Sequence, residues 1–107
     1  MSVIGTFKRT GQDFTGEIVS LSVQQTNVRI VREDQRTSED SPTHRVFVGR
    51  AEIGAGWTKK KRDGEGDYLS LKLDDPSFNQ PIFANLWAED EKAGDYKLIW
   101  SRGRDAN

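Results

Sequence analysis

Apolar and polar side chains trade places along much of this chain with a period of two. That period fits a strand with one buried face and does not fit an amphipathic helix. Leu69, Leu71 and Leu73 alternate with Ser70, Lys72 and Asp74, and Ala51, Ile53, Ala55 and Trp57 alternate with Glu52, Gly54 and Gly56. Ile82, Ala84 and Leu86 alternate with Phe83, Asn85 and Trp87, and Tyr96, Leu98 and Trp100 with Lys97, Ile99 and Ser101. No helix-length window repeats apolar residues at every third and fourth position, so little or no helix is expected.

The expected strands run from Ile4 to Arg9, Asp13 to Val23, Asn27 to Arg32, Arg45 to Val48, Ala51 to Trp57, Tyr68 to Leu73, Pro81 to Ala88 and Tyr96 to Arg102. Turn chemistry separates them: Thr10-Gly11-Gln12, Asp63-Gly64-Glu65-Gly66 and Lys92-Ala93-Gly94-Asp95 each hold glycine, which accepts a positive φ at low cost. The expectation is an all-β, small single domain over residues 1–107, with about eight short antiparallel strands in a compact barrel or sandwich. Residues 33–43 are polar and read as a mobile surface loop, and 103–107 as a disordered tail. Phe78 is expected to dip back toward the core from the turn around Pro76. The expected core is Phe7, Phe14, Ile18, Val46, Val48, Ile53, Leu69, Leu71, Leu73, Leu86, Leu98 and Trp100, with the first and last strands side by side, since closure removes edges.

Composition narrows the chemistry. The absence of cysteine excludes a disulfide scaffold, a thiolate metal site and a cysteine nucleophile. His44 is the only histidine, in a polar stretch beside Pro42, and reads as a solvated residue. One imidazole supplies neither a zinc site nor a supported triad, so no enzyme activity, metal or cofactor is expected. No apolar run approaches the roughly 20 residues of a membrane helix, and the first residues lack the apolar centre of a signal peptide, so a cytoplasmic protein without a membrane partner is expected. Sixteen basic and seventeen acidic residues nearly cancel, which leaves charge placement to identify a partner.

Four segments add a resemblance. They are Glu52-Ile53-Gly54-Ala55-Gly56-Trp57, Tyr68 through Phe78 (with the run KLDDPSF), Pro81-Ile82-Phe83-Ala84-Asn85-Leu86, and Tyr96 through Arg102 (with LIWSR). Together with Ile4-Gly5-Thr6-Phe7, and in this order, they resemble the bacterial family catalogued as domain of unknown function 736, over nearly the whole chain. The resemblance implies a small single-domain cytosolic protein, of a kind often encoded on plasmids and integrative or conjugative elements. It implies a role in the life of mobile DNA, and it carries no catalytic residues across.

Two sets of residues stand out as candidate surfaces. Lys59, Lys60, Lys61 and Arg62 form an unbroken cationic run after Trp57, and Arg102 and Arg104 could extend it. As a solvated hairpin tip the run means little, because lysines also blunt sheet edges. As a phosphate-contacting finger with Trp57 as a stacking platform, it suits single-stranded DNA or RNA. The second set is Phe83 and Trp87, opposite the Ile82, Ala84 and Leu86 face, followed by the acidic residues Glu89, Asp90 and Glu91. Exposed, these would mark a protein partner or a homodimer contact. Two functions follow: a non-enzymatic nucleic-acid-binding accessory protein of mobile elements, or a protein-interaction module such as an inhibitor of a host defence complex or a subunit of a transfer apparatus. Gly54 and Gly56 lack the phosphate-loop pattern and read as a bend, bulge or close backbone approach. Asp74 and Asp75 read as a turn that stops a strand.

Overall fold

The period of two is realised as an inside and an outside. The computed structural model describes residues 2–21, 23–35, 37–62, 64 and 66–100. They form β1 (Ser2–Thr10), β2 (Asp13–Val19), β3 (Gln24–Arg32), β4 (His44–Val48), β5 (Ala51–Lys60), β6 (Asp67–Leu73), β7 (Ile82–Asp90) and β8 (Asp95–Trp100). No helix occurs among these residues, and so none that is long and apolar enough to cross a membrane. Each strand pairs antiparallel with the next, and β8 returns to β1, so the eight close into a barrel in chain order. The seam runs from Ser2 opposite Trp100 to Lys8 opposite Asp95, as expected for the first and last strands.

The inward positions fill the barrel. Ile18, Val28, Ile30, Val46, Leu71, Leu73, Leu86 and Leu98 are fully buried, and Phe7, Phe14, Ile53 and Leu69 complete most of the packing. Val48 and Trp100, expected in the core, are instead half-buried against it. Both end their strands, where the barrel opens and fewer neighbours are available. Val23, Val28, Ile30 and Ala84 join the core beyond those expected.

The second expected strand runs too long. The chain leaves the ladder after Val19, and the Ser20 N–H donates to the Val23 carbonyl at 2.7 Å. Val19 and Leu21 therefore face solvent while Val23 turns back inside. Gly11 and Gly94 supply the positive φ of the β1–β2 and β7–β8 turns, at 67° and 77°. Gly54 serves a different need: a Cβ there would lie 2.5 Å from the Lys72 backbone oxygen and 2.8 Å from Leu73 Cδ2. It sits beside the register shift between β4 and β5, a close backbone approach at a bulge. At the β6–β7 connection Asp75 Oδ2 accepts from the Ser77 N–H (2.9 Å) and hydroxyl (2.7 Å), which holds its carboxyl below the usual range. This turn brings Phe78 back against the core.

His44 is not solvated. It opens β4 facing inward, buried, with its ring centroid 6.1 Å from that of Phe14. The residue before it, Thr43, ties the strands together. Its N–H donates to the Gly56 carbonyl (2.8 Å), and its hydroxyl accepts the Thr58 N–H (3.1 Å) and lies 2.9 Å from His44 Nδ1. Burial, and then the positive charge of Arg32, lower the His44 pKa below its ordinary value of 6.5, against the opposing pull of a hydrogen bond with the Gln12 backbone and the charge of Asp13.

Two outcomes are expected. Leu71, 1% exposed, should cost about 2–5 kcal/mol on replacement by alanine, measured by urea unfolding; a cost under ~1 kcal/mol would mean that the strand's other face is inside. Because folded His44 takes up a proton less readily than unfolded His44, the unfolded state binds more protons once the pH falls below about 6.5, and stability then declines with acidification until the folded state is protonated too. His44→Gln should flatten that part of the stability–pH curve between pH 8 and pH 5; an unchanged curve would locate the dependence in other groups.

Candidate nucleic-acid interface

Barrel closure leaves one set of alternate positions on β5, β6, β7 and β8 facing outward, and the register aligns them in rows. Trp57 lies opposite Ser70, Ser70 opposite Asn85, and Asn85 opposite Ile99. Ala55 lies opposite Lys72, and Lys72 opposite Phe83. Lys59 lies opposite Tyr68, and Trp87 opposite Lys97. With neighbouring strands about 4.8 Å apart, this places Trp57, Tyr68, Phe83 and Trp87 on one continuous surface interleaved with Lys59, Lys72 and Lys97.

The side chains interact directly. Tyr68 and Trp87 stack with ring centroids 4.3 Å apart and planes 20° from parallel. The Lys61 ammonium sits 5.7 Å from the centroid of Trp87, and that of Lys72 6.0 Å from the centroid of Phe83, distances at which a ring face attracts a cation. Phe83 is 54% exposed. The Trp57 indole N–H donates to the Asp40 carbonyl at 3.0 Å, which ties the ring to the polar β3–β4 connection. Between that connection and the strands runs a groove of about 430 Å³, bordered by Trp57, Lys59, Lys72 and Phe83 on the barrel and by Glu39 and Asp40 on the loop.

The two sets of candidates picked out by sequence thus meet on this face, though neither does so intact. β5 continues to Lys60 rather than ending at Trp57, and the strand period therefore divides the basic run. Lys59 shares the outward parity of Trp57, and Lys61 reaches the Trp87 ring, whereas Lys60 has the opposite parity and approaches Asp67 of β6 at 3.9 Å. Arg62 lies exposed in the β5–β6 connection. Arg102 and Arg104 fall outside the described residues. Phe83 and Trp87 point outward as expected, but the acids that follow them gather at one end: Glu89 and Asp90 close β7, Glu91 opens the turn, and Asp90 Oδ1 accepts the Ala93 N–H at 3.2 Å.

Tyr68, Ser70, Lys72, Asn85 and Lys97 were not singled out from sequence. Their signal was present, as the polar alternates of Leu69, Leu71, Leu86 and Leu98. What makes them a site is register, which sets Lys72 against Phe83 and Lys97 against Trp87. Among the described residues, no group of three or more His, Asp or Glu side chains could hold a metal ion.

Comparison with known proteins adds a family and nothing finer. No curated protein and no solved structure matches the chain. A family model, described as protein of unknown function DUF736, matches residues 3–103. Spanning nearly the whole barrel, that match establishes that the chain belongs to the DUF736 family.

Proposed function

We propose that the protein is a non-enzymatic nucleic-acid-binding module that takes single strands on the outer face of β5–β8. In the mobile-element setting that the family resemblance implies, it would act as an accessory protein to transferred or replicating DNA. The observation that carries this reading is the interleaving of Trp57, Tyr68, Phe83 and Trp87 with Lys59, Lys61, Lys72 and Lys97 on one sheet face. Small β-barrels that hold single strands combine the same two elements: cations tracking the backbone, and rings on which bases stack regardless of sequence. A net charge of −1 is no obstacle where lysines are gathered on one face, since phosphate contacts act within about a Debye length. Glu39 and Asp40 on the far side of the groove repel phosphates there, which favours a backbone path along the Lys59–Lys61 side.

The protein-docking reading draws on the same Phe83 and Trp87. Here those rings sit beside Lys72, Lys61 and Lys97 rather than within a rim of acids, because Glu89, Asp90 and Glu91 lie at the turn end of β7. That charge environment favours an anionic strand over a protein surface.

Fluorescence anisotropy of labelled oligonucleotides is the test. Single strands should bind more tightly than duplexes, with affinity falling log-linearly with salt. Replacing Lys59, Lys61 and Lys72 by alanine should reduce the salt slope by about 2, at roughly 0.7 per phosphate contact. The same variant should unfold within ~0.5 kcal/mol of the parent, because exposed charges contribute little to stability. Phe83→Ala should weaken binding by about 1–3 kcal/mol if a base stacks there. Absence of binding even at low salt, or a slope unmoved by the lysine replacements, would overturn the proposal and turn attention to a protein partner.

A further inference from the structure

The barrel also opens at one end, where the β1–β2, β3–β4, β5–β6 and β7–β8 connections meet. The interior there widens into a cavity of about 400 Å³, within the size range of small-molecule sites. Its wall is aromatic. Tyr96 packs edge-on against Phe14, with centroids 4.9 Å apart and planes at 75°, and the His44 ring centroid lies 6.1 Å from that of Phe14. Its charge is supplied from inside the barrel as well as from the rim. Arg32 continues the inward parity of Val28 and Ile30, lies opposite His44 across the β3–β4 ladder, and lines the cavity. Arg9 enters from the rim, donating to the Tyr96 hydroxyl at 3.3 Å with its guanidinium 5.9 Å from the Tyr96 ring.

Arg32 is the anomaly. Its Nε is buried and, among the described residues, has no hydrogen-bond partner. Leaving a buried donor of a charged group unpaired is costly, and such groups call for an explanation in strain, in function, or in an ordered water or ion. A guanidinium presents a planar fork that matches a phosphate or carboxylate through two parallel hydrogen bonds. Asp67 and Glu91 also line the cavity, and Asp13 accepts the Arg32 backbone N–H at 2.9 Å, but among the described residues none of these acids pairs with the Arg32 guanidinium. A planar donor beside a wall of rings describes the complement of one ligand class.

We propose that the mouth of the barrel binds a small aromatic anion, with its phosphate on Arg32 and its ring against Tyr96, Phe14 and His44. Nucleoside 5′-monophosphates carry this chemistry, either free or as the 5′-phosphorylated end of a strand. Tyr68 borders this site as well as the outer face of β5–β8, and binding here does not depend on single strands binding there.

Calorimetric titration of the whole chain with 5′-AMP and 5′-CMP, followed in parallel by NMR of the Arg32 and His44 side chains, tests it. The mononucleotides should saturate and shift both side chains, with adenosine and inorganic phosphate at least about tenfold weaker, since each supplies half of the contacts. Arg32→Gln should weaken binding by about tenfold or more at unchanged melting temperature, and Arg32→Lys should restore it only in part, because the point charge lacks the fork. Phe83→Ala should leave it unaffected. A 5′-phosphorylated oligonucleotide competing with 5′-AMP where its 5′-hydroxyl counterpart does not would assign the site to strand ends; failure of both to compete would assign it to free nucleotides. No shift at millimolar 5′-AMP, equal affinity for phosphate alone, or undiminished binding by Arg32→Gln would each overturn the assignment.

Discussion

The pairing of β1 with β8 is the constraint on which the rest depends. Without it the sheet would have two open edges, and the alternation of side chains would separate two faces without enclosing either. With Ser2 opposite Trp100 and Lys8 opposite Asp95, the same alternation defines an interior and a continuous exterior. The interior takes Val28, Ile30, Val46, Leu71 and Leu98, while the exterior receives every residue of opposite parity, including the rings and lysines of β5–β8. The candidate interface is therefore the complement of the core: Leu69, Leu71 and Leu73 go inside, and Tyr68, Ser70 and Lys72 are placed outside as a direct result.

Much of this was legible in sequence because a period of two is a local signal. Strand number, the inward leucines of β6, the glycine turns and the return of Phe78 all follow from residues within a few positions of one another. What was not legible depends on neighbours across the sheet. His44 stands in a polar stretch and reads as solvated; its burial comes from Phe14 beside it, Arg32 opposite it and Thr43 hydrogen-bonded next to it. Val19 ends β2 paired with Gln24, and the hydrogen bond from Ser20 to Val23 turns the chain there, so that Leu21 never joins the ladder. The basic run read as one patch because β5 was expected to stop at Trp57. Its continuation to Lys60 imposes the strand period on the lysines and sends alternate charges to different partners.

The two proposed sites draw on the same near-neutral composition in different ways. On the outer face, charge is segregated by parity, so that lysines collect between aromatic rings. At the mouth, Arg32 is carried inward by the parity of β3, with its Nε left unpaired. Rings contribute to both, and Tyr68 belongs to both settings, stacking on Trp87 outside while bordering the mouth. A substitution at Tyr68 would therefore disturb both sites, whereas Phe83 and Arg32 each report on one alone.

The strand order has a consequence for how the chain reaches its native state. Seven of the eight pairings join strands that are consecutive along the chain, and only the seam brings together residues about ninety positions apart, as the Lys8–Asp95 ion pair does. Local hairpins form within microseconds, but a distant contact must first meet the entropy of closing the intervening loop. Loop-closure entropy therefore favours assembly of the meander before closure of the seam. Until the seam closes, β1 and β8 present unpaired edges, each a template for the other or for the matching edge of a second copy. Slow closure at high concentration would exchange these strands between molecules, giving intertwined dimers with every native hydrogen bond intact.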